Sequence, residues 1–219
     1  MDEILITGGR AVLRSVQEAK AVTIDDFYDE LARSAGVRTP ILPERVIFYA
    51  ARSEYKLYMT HQAPAAKRIK VRLNGLPTRE YSLSLPHVYF MHLYYNAALD
   101  SIYVFCSGGP VHETTDMLYR LPLKNIHGDG LVCIGDDLKF DIAGRFGEKI
   151  GKTEDFFWDS LFNSDLDSAF SSALPDVFRD DDPLAKWEQM SSEPGFDPAK
   201  IHWKRNRTLN ETVNILLEG

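Results

Sequence analysis

The sequence predicts an α+β domain in which an antiparallel β-meander carries flanking helices. Three observations predict it. Strand-length runs rich in β-branched and aromatic residues follow one another between residues 45 and 106, with short polar breaks. Two stretches, 23–36 and 153–162, place apolar side chains at helical spacing behind a threonine. A hydrophobic fraction of 44% and an aromatic fraction of 11% over 219 residues suit a folded chain with a sizeable core.

In chain order, 4–6 and 11–16 read as strands joined across Thr7-Gly8-Gly9-Arg10. The glycine pair suits a hairpin turn better than a phosphate loop, because no long helix follows it. Thr23 reads as a helix cap, with Asp25, Asp26 and Glu30 favourably placed for the helix dipole and Gly36 ending the helix. Pro40 and Pro43 make a stiff connector. Strands are expected over 45–50, 55–60, 68–73, 80–85, 87–95 and 102–106. In the third, Arg68, Lys70 and Arg72 fall on the solvent face and Ile69, Val71 and Leu73 on the core face. Residues 111–119 read as a loop, and the glycine-spaced stretch 136–152 as a polar loop or lid. Thr153 caps a helix whose Phe156, Phe157, Trp158, Leu161 and Phe162 read as core. The organisation is an N-terminal strand addition (1–22), a main domain (23–175), then an acidic linker and tail (176–219) that ends in a helix or strand over 209–217.

Composition narrows the function. A net charge of −7 argues against a general nucleic-acid binder. No window approaches the ~18 apolar residues of a membrane span. The acidic start Met1-Asp2-Glu3 is unlike a signal peptide. Two cysteines imply a reducing compartment and no disulfide framework, so the localisation expected is cytoplasmic. His87 and His92 fall on opposite strand faces, and no zinc motif or P-loop occurs, so no metal or cofactor is expected.

The densest chemistry lies in Leu121-Pro122-Leu123-Lys124-Asn125-Ile126-His127-Gly128-Asp129-Gly130-Leu131-Val132-Cys133-Ile134-Gly135. Gly128 and Gly130 can take φ > 0 and Asp129 favours turns, so the segment can fold back and bring the Asn125 amide near the Cys133 sulfur. An amide donor beside a sulfur nucleophile suits acyl transfer, because it can hydrogen-bond the oxyanion formed on a thioester carbonyl. No His-plus-Asp relay is evident. That favours a nucleophile that receives an already activated acyl group. His127 sits in the turn, where it could assist deprotonation or simply be an exposed loop histidine. Cys106, at the end of an apolar strand, reads as structural.

These residues resemble the active-site run of ubiquitin-conjugating enzymes. Leu121, Pro122, Asn125, Ile126, Asp129, Gly130, Val132, Cys133, Ile134 and Gly135 match the pattern of prokaryotic ubiquitin-conjugating-enzyme-like family D, which includes protein B of the PRTRC gene cluster. Phe156 to Phe162 is similar to that family's Phe-Phe-x-Ser-x-Phe helix. One departure stands out: Leu123-Lys124 replaces the His-Pro that precedes the asparagine in conjugating enzymes generally. The resemblance implies a ubiquitin-conjugating-enzyme-like fold and a transferase that carries a ubiquitin-like protein as a thioester on Cys133, with Asn125 in the oxyanion or loop-organising role. It also implies a separate adenylating activating enzyme, a JAB-type metalloprotease from the same bacterial cluster, and a defence or plasmid setting. Asp136, Asp137, Asp165 and Asp167 are the acidic residues expected to serve an incoming amine. The rival readings are a catalytically inactive binding module, a structural component of a plasmid gene-cluster complex, and a small thiol hydrolase using His112 or His127.

Overall fold

Strand register in a half-buried sheet is set by which face must leave water, because a one-residue slip would turn every apolar side chain outward. That rule organises the chain between residues 45 and 107. The computed structural model describes residues 3–7, 10–14, 19–23, 42–43, 45–73, 76–96, 98–133 and 146–218. The chain divides into two compact units, Met1–Leu42 and Pro43–Gly219.

In the first unit, β1 (Glu3–Thr7), β2 (Arg10–Arg14) and β3 (Ala19–Thr23) form an antiparallel sheet in that order. The register Glu3↔Arg14 through Thr7↔Arg10 is the hairpin expected of the Gly-Gly pair. Thr23, read as a helix cap, closes β3; the helix expected from there to Gly36 lies outside the described residues.

The second unit begins with β4 (Val46–Arg52), β5 (Tyr55–Gln62), β6 (Ala65–Val71) and β7 (Arg79–Leu85). The strands β8 (His87–Tyr95), β9 (Ala98–Ser107) and β10 (Met117–Arg120) follow. Next come α1 (Phe146–Asp159), β11 (Leu161–Phe162), α2 (Asp167–Ala173), α3 (Pro183–Ser191), β12 (Arg205–Thr208) and α4 (Leu209–Glu218). A six-stranded antiparallel sheet has the order β12-β10-β9-β8-β5-β4, and a second sheet has the order β11-β6-β7, with β11 parallel to β6. The architecture is α+β, as expected. Ile69 and Val71 are buried while Arg68 and Lys70 stay in solvent, which is the alternation read from the sequence.

Both faces of the large sheet are covered. One core joins Ile69, Leu83, Phe90 and Val104 to Phe157, Phe162 and Trp187. On the other face, Leu57, Met59, Met91 and Phe105 meet Leu209, Val213 and Leu216 of α4. The stretch read as linker and tail is therefore not peripheral: Phe178, Trp187 and Trp203 stack together in the main core. The α3 helix also closes the edge of β7. The Ser82 amide donates to Glu188 Oε1 at 2.6 Å, the Ser84 amide to Ser191 Oγ at 2.9 Å, and Trp187 Nε1 to the Ser84 carbonyl at 3.2 Å. Side chains thereby occupy donors that an open edge would offer to another strand.

Three local readings change. The helix expected to start at Thr153 already runs from Phe146, and the Thr153 hydroxyl donates to the Lys149 carbonyl inside it. The aromatic run does not stay helical either. Leu161 and Phe162 leave α1 to pair with Lys70 and Val71, while 117–119, read as loop, belongs to the strand Met117–Arg120. In both cases a pairing with a distant strand overrides local pattern.

Candidate active site

The segment that carries Cys133 extends the pairing of β9 beyond the end of β10. Tyr103 bridges Leu131, the Val104 amide donates to the Gly130 carbonyl at 2.9 Å, and the Val132 amide to the Ile102 carbonyl at 2.9 Å. The chain reverses just before this. Ile126 and Val132 form an antiparallel bridge, the Cys133 amide donates to the Asn125 carbonyl at 2.8 Å, and the His127 amide to the Leu131 carbonyl at 2.8 Å. Asn125 and Cys133 are therefore register partners one step out from that bridge. Side chains of such partners share a face, with Cβ atoms typically about 4.5–5.5 Å apart. Cys133 is exposed.

Turn chemistry holds the reversal. Asp129 Oδ1 accepts the Leu131 amide at 3.1 Å, and the Gly130 amide donates to the His127 carbonyl at 3.0 Å. Gly130 has φ +98°, and a Cβ there would stand 2.5 Å from the Phe105 ring. Backbone angle and close approach thus both require glycine. Gly130→Ala is expected to destabilise the fold by roughly 1–3 kcal/mol through overpacking, read as a lower midpoint in urea unfolding. An unchanged midpoint would show that the turn can shift at no cost. His127 is half-buried in the same turn.

The Asn125 carboxamide is engaged on its other side. Its Nδ2 donates to the Leu161 carbonyl at 3.4 Å, and its Oδ1 accepts the Asn163 amide at 3.2 Å. Both bonds tie the cysteine turn to the segment after α1. Asp165 lies in that same segment, where its carboxylate accepts from Asn163 Nδ2 at 2.8 Å and its amide donates to Asn163 Oδ1 at 3.0 Å. Asp167 is ion-paired with Lys124, whose Nζ also lies 4.4 Å from the centre of the Phe170 ring. Asp136 and Asp137 lie outside the described residues.

The two thiols stand in opposite surroundings. Cys106 is fully buried in the main core; its Sγ donates to the Arg120 carbonyl at 3.4 Å, and burial pushes its pKa well up. Thiolate is the nucleophilic form of cysteine, so this environment suppresses chemistry at Cys106. Cys133, by contrast, is exposed.

A model of prokaryotic E2 family D matches residues 25–200. The chain belongs to prokaryotic E2 family D. No curated protein and no solved structure matches it. The family match spans β4 to β11, the cysteine turn and α1 to α3, consistent with an E2-like fold. It makes this family D protein a conjugating-enzyme-like one.

Two residues the sequence did not single out, Asn163 and Glu154, and one it marked only as a departure, Lys124, make the supporting contacts. Asn163 supplies the donor to Asn125, and Lys124 grips Asp167. Glu154 on α1 is buried against the sheet: its carboxylate accepts from Thr60 Oγ1, from Gln62 Nε2 at 2.7 Å and from Arg45 at 2.9 Å, with His92 Nε2 at 3.6 Å. The only signal for Lys124 was the departure itself, a charged residue where conjugating enzymes carry proline. Nothing local marks Glu154 among the other acidic residues of α1. Among the described residues no cluster of three metal-ligating side chains occurs, and no helix is long and apolar enough to cross a membrane.

Proposed function

We propose that this protein accepts the C-terminal carbonyl of a ubiquitin-like protein as a thioester on Cys133 and passes it to an amine or a further carrier. The observation that carries this reading is the exposed Cys133 set in register with Asn125 on a tightly specified turn, in a chain of a conjugating-enzyme-like family. In loading, the Cys133 thiolate attacks the thioester carbonyl held by an adenylating activating enzyme. A new C–S bond forms, the partner's C–S bond breaks, and the partner's thiol is released. In discharge an amine attacks, a C–N bond forms, and the Cys133 sulfur leaves with the electron pair while the amine's proton passes to a base or to solvent. Exchange between similar thiols is close to energetically balanced, so a dedicated relay such as that of a protease is not required. The cleft of about 270 Å³ lined by Tyr103, Asp129 and Arg207 adjoins the turn and offers room for an extended tail.

The commitment of the Asn125 carboxamide to Leu161 and Asn163 favours a second reading, a catalytically inactive binding module or a structural component of a bacterial gene-cluster complex. Incubation with the cognate activating enzyme, ATP and ubiquitin-like protein separates the two. The carrier reading expects an adduct sensitive to reductant, lost in Cys133→Ala and kept in Cys106→Ala. Stable binding with no adduct would favour the module.

A further inference from the structure

Two consecutive residues of the lead into the cysteine turn hold the same short segment. Asn125 is bonded to Leu161 and Asn163, and Lys124 is paired with Asp167 four residues further on. We propose that Lys124 is a positioning residue: its buried ammonium, held between the Asp167 carboxylate and the Phe170 ring, sets the Asn125 carboxamide for transfer from Cys133. The proposal rests on the carrier reading above.

Burial is the first argument. The Lys124 side chain is only 9% exposed while its partner Asp167 is 53% exposed, so the lysine gives up most of its hydration for one carboxylate and one ring face. Such a pair adds little net stability, because desolvation offsets the attraction, and an apolar side chain of similar volume often serves as well or better. What an ion pair adds over an apolar contact is direction. Here the direction fixes the start of α2, and with it residues 163–167, against the turn that carries Asn125. Asn163 lies between the two grips. It presents its amide to Asn125 Oδ1 while its side chain is held by Asp165.

Location is the second argument. Lys124 adjoins Asn125 in the chain, and Asn125 is the register partner of Cys133, so a shift at Lys124 reaches the cysteine through one hydrogen-bonded pair. The grip also accounts for the departure from the usual His-Pro. A proline limits the approach to the asparagine by its fixed φ, whereas Lys124 limits it through a tertiary contact. For an amide that must meet an oxyanion, a displacement of ~1 Å can cost on the order of 10²-fold in rate.

The test uses Lys124→Met, Lys124→Arg and Asp167→Asn in the full chain, with loading and discharge measured separately and the Asn125 side-chain amide followed by NMR. Lys124→Met and Asp167→Asn should load within about 2-fold of wild type, discharge to free lysine about 10- to 100-fold more slowly, and shift the Asn125 amide signals. Lys124→Arg keeps the charge and should recover most of the discharge rate. A merely structural lysine would give a methionine variant with unmoved Asn125 signals, or loading and discharge falling together with thermal stability; either result overturns the proposal. Absence of any wild-type adduct would instead remove the carrier reading, and the proposal with it.

Discussion

The Asn125→Ala protein is expected to load its cysteine nearly normally and to discharge it to an amine about 10²-fold more slowly, the range seen when one oxyanion donor is removed. The asymmetry follows from the chemistry of the two proposed steps. In the proposed reaction, loading exchanges one thioester for another at the exposed sulfur of Cys133. Loading and aminolysis both form a tetrahedral oxyanion, but aminolysis must also shed the amine's proton, so it should lean more on a donor from Asn125, whose backbone carbonyl accepts the Cys133 amide. That carboxamide is held by Leu161 and Asn163 at 3.4 and 3.2 Å, and a side-chain amide carries a second N–H beyond the one that meets Leu161. The same bonds also give the residue a structural role, which Asn125→Asp separates. Aspartate keeps an acceptor for the Asn163 amide but loses the donor. Slow discharge with preserved folding in Asn125→Asp supports the oxyanion role, whereas wild-type discharge in both variants would confine Asn125 to holding the loop.

The second large effect concerns Glu154. Its carboxylate is buried among Thr60, Gln62, Arg45 and His92, all on the sheet side of α1. Burial alone would raise its pKa; His92, Thr60 and Gln62 outweigh burial and hold the carboxyl below its ordinary range. A carboxylate whose folded pKa lies below its unfolded value stabilises the fold above the unfolded value, about 4.3, and that contribution disappears as pH falls through the folded pKa. The wild-type thermal midpoint should therefore decline as pH drops below about 4.3, with a shallower decline in Glu154→Gln. Glu154→Ala should lower stability by about 1–3 kcal/mol at neutral pH, since it leaves the buried Thr60 hydroxyl and the half-buried Gln62 amide without their acceptor. A flat acid profile in wild type, or a Glu154→Ala protein as stable as wild type in urea, would refute this role. The effect reaches the site through connectivity: α1 runs directly into Leu161 and Asn163, the partners of Asn125.

Much of the sheet was legible because alternation reports burial directly. The strand over Glu80–Leu85 shows Tyr81, Leu83 and Leu85 buried against exposed Glu80 and Ser82, and the cysteine turn announced itself through Gly128, Asp129 and Gly130. What escaped notice depends on partners far apart in sequence. Leu161 and Phe162 look helical beside Phe157 and Trp158, yet strand β6 some ninety residues earlier claims them. Residues 176–219 look like linker and tail because the core that Trp187 and Trp203 enter is built by other strands. Asn163 and Glu154 looked like ordinary polar residues and Lys124 stood out only as a departure from His-Pro; the tertiary contacts give all three their work.

The most direct measurement is the mass of the trypsin-sized fragment that carries Cys133 after incubation with activating enzyme, ATP and ubiquitin-like protein. The account predicts a hydroxylamine-labile addition there, equal to the modifier's C-terminal peptide less one water, with Cys106 unmodified. An addition on Cys106 or on a lysine while Cys133 stays free, or a Cys133 fragment unchanged throughout, would contradict it.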